Sequence, residues 1–263
     1  MATDRTDLWL PLLRELTETY PGWSVWKNVR SAFAGTGDVD SFAPPSDWPA
    51  IQQTFIDWAG HSGLGPVLIC RHIPQGPHFI TFEDGSPYIV QLDVKERGTF
   101  RGSTLIDAWS LLPLSQVREE GFRGVRPGAE GVIKLCLNGV RKGGHANHEA
   151  LREKRVAELL ESDPEGVSAA AQLLGPARRA LLRGAAAVVD GEWDRRAMLT
   201  VEAWSAARGL TEPRVAASRW WFLNVTAKRC GVVDLIREHD RRIDGDLEPW
   251  LDTVADSHTI LRA

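Results

Sequence analysis

The amino-acid pattern changes near residue 125, and this change most constrains what the chain can fold into. Before it, short apolar runs are interrupted by Gly, Pro and Asp, a pattern typical of strands and turns. After it come long stretches rich in Ala, Leu, Arg and Glu, with the spacing of amphipathic helices. We therefore expect two domains, at residues 1–125 and 126–263, and an α+β fold class.

The first part predicts a small mixed, mainly antiparallel sheet with flanking helices. Apolar periodicity indicates helices at residues 7–20 and 48–61. The predicted strands cover residues 23–29, 38–43, 66–72, 78–83 and 88–94. Short links rich in Pro and Gly join the last three strands, which favours antiparallel hairpins over crossover connections.

The second part predicts an all-helical C-terminal domain. The expected helices cover residues 130–140, 147–160, 176–190, 193–208, 212–239 and 246–262, with a further one that begins after Asp163. The tripeptide Asp163-Pro164-Glu165 is typical of a helix start, with an acidic cap and a proline in the first turn.

Charge and composition exclude several classes of partner. The chain of 263 residues has a net charge of −4, from 35 acidic and 31 basic residues, whereas nucleic-acid binding usually needs a basic excess. No apolar run approaches the roughly 18 residues that span a bilayer. The start of the chain mixes charges among its leucines, unlike a signal peptide. We expect a cytoplasmic protein without nucleic-acid or membrane partners.

The cysteines indicate neither a disulfide framework nor a structural zinc site. The chain has three, Cys70, Cys136 and Cys230, which are far apart and form no Cys-x-x-Cys pair. Each is therefore predicted to be a small buried apolar residue.

Three aspartates form the pattern that carries chemistry. Asp38 and Asp40 lie in a predicted strand, and residues two apart on a strand face the same side. Two carboxylates so placed repel one another unless a cation joins them, and Mg²⁺ accepts such carboxylates together with substrate phosphates. Asp93, in the last predicted strand, would add a third carboxylate that holds metal or accepts a proton.

An Asp-x-Asp pattern alone has little weight, because it occurs roughly once by chance in a chain of this size and acidity. The alternative is a pair of loop aspartates that cap a turn after Gly35-Thr36-Gly37. The preceding strand, the Gly-containing loop, the apolar Val39 and the third carboxylate together favour a site.

The order helix, strand, Gly-containing loop, Asp-x-Asp strand, helix, antiparallel strands and third Asp resembles the nucleotidyltransferase superfamily of the DNA polymerase β type. The pattern covers residues 8–95 and is most similar to small bacterial enzymes that nucleotidylate aminoglycosides and other small acceptors. The resemblance implies that Asp38, Asp40 and Asp93 are catalytic and bind Mg²⁺, with Asp93 able to act as general base. It implies transfer of a nucleoside monophosphate from a nucleoside triphosphate, for which we take ATP, to a hydroxyl of a small-molecule acceptor, with release of pyrophosphate. A sugar, an aminoglycoside-like compound and a natural-product intermediate all fit as acceptor.

The chain departs from this family at Lys27-Asn28, where the family has Gly-Ser. The small family residues let the backbone approach the triphosphate, and the serine hydroxyl binds it. Lys27 would supply a charge and Asn28 an amide donor instead. This departure leaves open a second hypothesis, a non-catalytic member of the same fold that binds a nucleotide or a partner.

Three further basic residues are candidate nucleotide ligands, each with a structural alternative. Arg30 would reach a phosphate or lie exposed in a loop. Lys134, in an apolar helix, either extends to solvent or has a function. Lys154 resembles part of a basic pair on the helix after the family's catalytic domain, or it belongs to a solvated helix face.

Two tryptophans and one loop have similar alternatives. Trp26 and Trp109 would line an acceptor site, although the core is favoured for both. Residues 141–145, with two glycines among basic residues, would contact the triphosphate or form a plain helix-to-helix loop.

Overall fold

The computed structural model describes residues 4–65, 67–70, 75–83, 88–152 and 155–221. These residues form a mixed α+β structure in which strand pairing is mainly antiparallel. The chain forms two compact units. Unit 1 comprises the described residues of 4–96, 119–122 and 218–221, and unit 2 comprises those of 97–118 and 123–217.

Unit 1 has the predicted order of elements up to Lys95. Its helices and strands are α1 (Thr6–Thr19), β1 (Ser24–Lys27), α2 (Val29–Phe33), β2 (Val39–Phe42), α3 (Trp48–His61), β3 (Leu68–Cys70), β4 (His78–Phe82) and β5 (Ile89–Lys95). Helix α2 is an addition to the prediction, which continued the first strand through Val29. The strand ends earlier because Asn28 has a left-handed backbone conformation, with φ of 68°.

Five strands of unit 1 are hydrogen-bonded in the order β3-β4-β5-β2-β1. The pairs β1–β2, β3–β4 and β4–β5 are antiparallel, whereas β2 and β5 are parallel. Helix α3 and the β3–β4 hairpin lie between β2 and β5 in the chain, which supplies the long connection that a parallel pair needs.

The strand pattern gives the sheet of unit 1 one apolar face and one polar face. In β5, the residues Val90, Leu92 and Val94 belong to the hydrophobic core. Helices α1 and α3 contribute the other side of this core with Trp9, Leu12, Leu13, Leu16, Ile51, Phe55 and Trp58. Because side chains alternate along a strand, Gln91, Asp93 and Lys95 lie on the opposite face.

A β-bulge in β1 changes which side chains share that opposite face. Val25 is paired with Ser41 and Lys27 with Asp40, so Trp26 is an extra residue in β1. Without the bulge, Val25 and Lys27 would lie on the same face. With it, Val25 stays in the core while Lys27 lies opposite Asp40.

Unit 2 combines short strands with helices. Its strands are β6 (Arg97–Phe100), β7 (Ser103–Asp107), β8 (Ser115–Val117), β9 (Arg123–Val125), β10 (Val140–Arg141) and β11 (His145–Ala146). The helices after residue 97 are α4 (Ala108–Leu111), α5 (Pro127–Lys134), α6 (His148–Arg152), α7 (Arg155–Ser162), α8 (Pro164–Ala171), α9 (Arg178–Val189), α10 (Arg195–Gly209) and α11 (Pro213–Trp221). Within the described ranges, no helix has the length and apolar character needed to cross a bilayer.

The unit boundary lies after Glu96, whereas the sequence placed a domain boundary after residue 125. The strands β6 and β7 pair with each other in a two-stranded sheet and belong to unit 2. There the backbone N–H of Thr104 in β7 donates to Glu212 Oε2 at 2.8 Å. After residue 126 the described chain is helical apart from β10 and β11, and the predicted helix at 246–262 lies outside the described residues.

Asp163 caps two helices of unit 2, as its sequence context predicts for one of them. Its carboxylate accepts hydrogen bonds from the backbone N–H of Gly166 in α8, at 3.0 Å, and of Gly128 in α5, at 3.1 Å. Arg126 adds contacts of 2.6 and 3.1 Å to the same carboxylate. A Cβ atom on Gly128 would lie 2.0 Å from the Asp163 carbonyl oxygen, so only glycine allows this approach.

We expect Asp163→Ala to lower the free energy of unfolding by about 2 kcal/mol, because two helix starts lose a cap and Arg126 loses its partner. Glu165→Ala is the matched control, since Glu165 contacts the same arginine at 3.2 Å with a side chain that is 87% exposed. Its effect should stay below about 0.5 kcal/mol. Urea denaturation of both variants at neutral pH measures the difference, and equal losses would contradict the capping role.

The cysteines in the described part of the chain confirm the prediction of buried apolar residues. Cys70 and Cys136 are free and buried. Burial raises the pKa of the Cys70 thiol to about 11, with a further contribution from Asp93, and burial raises the pKa of Cys136 to about 12. Both thiols are therefore un-ionised at neutral pH, while Cys230 lies outside the described residues.

Candidate active site

The structure brings the three predicted carboxylates together on the polar face of the unit 1 sheet. Asp40 in β2 is paired in register with Asp93 in the parallel strand β5, and Asp38 precedes Asp40 by two residues. One carboxylate oxygen from each lies within 4.8 Å of those of the other two. A turn cap would not bring a carboxylate from a distant strand to this position.

The strand register builds the site as a row across five strands. Lys27 in β1 is paired with Asp40, Asp40 with Asp93, and Asp93 with His78 in β4. Cys70 in β3 ends the row opposite His78. Adjacent paired residues on one face of a sheet lie close enough for direct contact, and in this row Lys27 contacts Asp40 and His78 contacts Asp93.

Asp40 is the most deeply buried carboxylate of the three. Its side chain is 1% exposed and lies 3.1 Å from the Lys27 ammonium and 2.7 Å from the Lys95 ammonium. Asn28 Nδ2 donates a third contact, at 2.8 Å. Burial lowers the pKa of Lys95, but Asp40 and Asp93 outweigh burial and hold that pKa above its usual range. The ammonium is therefore charged at neutral pH.

Asp93 is bound by three different side chains. His78 Nδ1 lies 2.5 Å from Asp93 Oδ1, and Gln91 Nε2 donates to the same oxygen at 2.7 Å. The Lys95 ammonium is 3.4 Å from Oδ2. Burial raises the pKa of Asp93, but His78 and Lys95 outweigh it and hold the pKa well below its usual range. Asp93 is accordingly a weak proton acceptor.

Asp38 has the opposite electrostatic character. It is half-buried, and Asn28 Nδ2 donates to its Oδ1 at 3.2 Å. Burial raises its pKa, and repulsion from Asp40 and Asp93 raises the pKa further. Asp38 is thus the more basic carboxylate, whereas the resemblance gave the role of general base to Asp93.

Asn28 connects two of the three carboxylates. Its left-handed φ of 68° is a conformation that Asn tolerates better than most residues. Its side chain makes no capping hydrogen bond to helix α2 and instead bridges Asp38 and Asp40. The pair Lys27-Asn28 is therefore part of the carboxylate cluster.

We expect Asn28→Ala to be less stable than Asn28→Gly by about 1 kcal/mol, because glycine accepts the left-handed conformation and alanine does not. Both variants lose the amide bridge between Asp38 and Asp40. The difference between their free energies of unfolding therefore reports on the backbone conformation of residue 28. Thermal and urea unfolding of the two proteins measure this difference. An alanine variant as stable as the glycine variant would contradict the described conformation of residue 28.

The remaining candidate nucleotide ligands are placed differently. Arg30 is exposed on α2 and forms no ion pair with any other residue that the structure describes. Lys134 is buried in unit 2 and pairs with Glu130 at 2.8 Å, so its charge is already satisfied. Lys154 lies outside the described residues. Among these candidates in the described part of the chain, only Lys27 and Asn28 contact the carboxylate cluster.

The structure also places the two tryptophans and the loop at residues 141–145. Trp26 is buried as expected, whereas Trp109 is 63% exposed, so the expectation of a core position for Trp109 is wrong. Residues 141–145 belong to the β10–β11 hairpin, with 142–144 as its turn, rather than to a helix-to-helix loop. The backbone N–H groups of Gly143 and Gly144 donate to Glu202 at 3.2 and 2.6 Å, so these donors already bind an anion.

Sequence reasoning missed three residues of the site, His78, Gln91 and Lys95. Gln91 and Lys95 flank Asp93 at a spacing of two, so strand alternation alone places them on its face. That signal was present in the sequence. His78 is found only through the register of β4 against β5, which the sequence does not specify.

Comparison with known proteins gives no further information on this site. A scan against protein-family models, a search of curated proteins and a search of solved structures found no match for the chain. The geometry of unit 1 and the chemistry of its side chains are therefore the basis for a functional proposal.

Proposed function

We propose that the chain is a Mg²⁺-dependent nucleotidyltransferase that transfers a nucleoside monophosphate from a nucleoside triphosphate to a hydroxyl of a small molecule. The observation that carries this proposal is the convergence of Asp38, Asp40 and Asp93 within 4.8 Å on one sheet face. Two of these carboxylates are buried, and keeping like charges together in a low-dielectric setting is costly. A bound cation would offset this repulsion, so the arrangement favours a cation-dependent reaction.

The donor set fits Mg²⁺, which prefers carboxylate oxygens and shares them with substrate phosphates. Asp38, Asp40 and Asp93 would hold the metal. When bound, the ion neutralises phosphate charge and favours departure of pyrophosphate. Burial and repulsion from Asp40 and Asp93 raise the pKa of Asp38, and a bound cation would offset the repulsion, so the role proposed for Asp38 is that of a metal ligand.

The basic side chains of the site fit a triphosphate. The Lys27 and Lys95 side chains are 20% and 25% exposed, and their ammonium groups lie beside the carboxylates. Lysine binds phosphate as a point charge. Asn28 adds an amide donor in place of the family's hydroxyl.

A small acceptor fits the charge of the chain better than a polynucleotide does. The net charge of −4 provides no general attraction for nucleic acid. Sugars, aminoglycoside-like compounds and natural-product intermediates carry the free hydroxyl that the reaction needs.

A second candidate is a non-catalytic nucleotide-binding protein of the same fold. It is favoured by the two ion pairs of Asp40, which neutralise this carboxylate without a metal. Both candidate functions include nucleotide binding, but only the first includes turnover. A binding measurement alone therefore does not separate them.

The test is a turnover assay with α-phosphate-labelled ATP, GTP, CTP and UTP, Mg²⁺ and a panel of sugars and aminoglycosides. We expect pyrophosphate release together with transfer of the label to one class of acceptor. Asp57→Asn is the control variant, since Asp57 is an exposed aspartate of α3. Mg²⁺-dependent nucleotide binding without label transfer to any acceptor of the panel would instead support the non-catalytic candidate.

A further inference from the structure

The two lysines of the site bind the same oxygens that a divalent cation needs. The Lys27 ammonium lies 3.1 Å from Asp40 Oδ2, and the Lys95 ammonium lies 2.7 Å from Asp40 Oδ1. Lys95 also contacts Asp93 Oδ2 at 3.4 Å. Both oxygens of the central carboxylate are thus already paired with a positive charge.

These ion pairs also remove most of the electrostatic attraction for a free cation. Two ammonium groups offset two of the three carboxylate charges. At separations of this size, a like charge weakens the binding of Mg²⁺ strongly. A metal that binds Asp40 therefore competes with the two ammonium groups for the same oxygens.

In these ion pairs, only the lysine side chains can move away to admit a metal. The carboxylates of Asp40 and Asp93 are 1% and 6% exposed and are fixed by the sheet. The lysine side chains are 20% and 25% exposed on flexible stems, so their ammonium groups can leave the cluster for another anion beside it. A triphosphate supplies that anion.

We propose that Lys27 and Lys95 are internal counter-ions that exclude free divalent cations from Asp40 and Asp93. Metal loading then requires a triphosphate that draws the ammonium groups to itself, and this second step rests on the proposed function. The two lysines act as positioning residues that couple metal binding to nucleotide binding. The site accordingly loads metal and nucleotide together.

The test measures Mn²⁺ binding without nucleotide, by electron paramagnetic resonance of the free ion, in the wild type and in Lys95→Met, Lys27→Met and Lys95→Arg. We expect weak binding in the wild type and in Lys95→Arg, which keeps the charge. Each methionine variant should bind Mn²⁺ roughly tenfold more tightly or better. Equal Mn²⁺ affinity in the wild type and in both methionine variants would overturn the proposal.

Cooperative thermal unfolding of each variant shows that it is folded, and Lys27→Met provides a second test if Lys95→Met is not. Failure of the proposed function gives a different result from failure of the counter-ion proposal. In that case the methionine variants still gain Mn²⁺ affinity, whereas the wild type shows no nucleotide binding with Mg²⁺ and no turnover. If the counter-ion proposal is wrong, the wild type still turns over nucleotide, and the methionine variants show no gain in Mn²⁺ affinity.

Discussion

Asp40→Ala should lower the free energy of unfolding by about 3 kcal/mol, because the buried Asp40 carboxylate holds two lysines and an asparagine. Its removal leaves the Lys27 and Lys95 ammonium groups without their closest partner in a partly buried setting. Lys95 keeps only its longer contact to Asp93. The lysine side chains reach water in part, so the loss should lie at the lower end of the range for broken buried ion pairs.

Urea unfolding at neutral pH measures this loss against Asp57→Ala, in which an exposed aspartate of α3 is removed. The control should change stability by less than about 0.5 kcal/mol. The double variant Asp40→Ala/Lys95→Met should lose less than the sum of the two single variants, since each residue is the other's partner. Additive losses would contradict a direct Asp40–Lys95 interaction.

Asp38→Asn should have the opposite effect on stability and a large effect on turnover. The pKa of Asp38 is raised by burial and by its two neighbours, so the fold disfavours its ionised form. The destabilisation is present above the raised folded pKa and is lost as the pH falls through it. A neutral asparagine removes it at pH 7, and we expect the variant to be at least as stable as the wild type.

The same substitution replaces one of the three proposed metal ligands. We expect turnover to fall by about 10³-fold, which corresponds to roughly 4 kcal/mol of transition-state stabilisation. The assay with labelled nucleotide measures this loss, with Asp57→Asn as the control that retains wild-type turnover. Loss of both stability and turnover would indicate a structural role, and unchanged turnover would remove Asp38 from the reaction.

The sequence predicted those parts of the site that depend on spacing within one strand. Asp38 and Asp40 share a face because they are two residues apart, and the apolar Val39 between them lies in the core. The same rule applied to β5 places Lys95 beside Asp93. The rule fails in β1, because the bulge at Trp26 reverses the alternation and brings Lys27 to Asp40.

The parts that escaped prediction depend on contacts between distant segments. His78 reaches Asp93 through the register of two strands, and register is fixed by packing and turn geometry. The hairpin of β6 and β7 has the turn-rich pattern of the first half of the chain but belongs to unit 2. The sequence analysis predicted no strand at β6 or β7, and only tertiary packing decides which unit contains them.

The most direct test of the central claim is a thermal-shift measurement with ATP, GTP, CTP and UTP, each with and without Mg²⁺. It compares the wild type with the Asp38→Asn/Asp40→Asn double variant, each relative to its own melting temperature without ligand. A ligand that binds the folded state raises the melting temperature by mass action, so millimolar nucleotide reveals even weak binding. We expect a Mg²⁺-dependent shift with at least one nucleotide in the wild type and no such shift in the double variant. A cooperative wild-type transition that no nucleotide shifts would contradict a metal-nucleotide site at Asp38, Asp40 and Asp93.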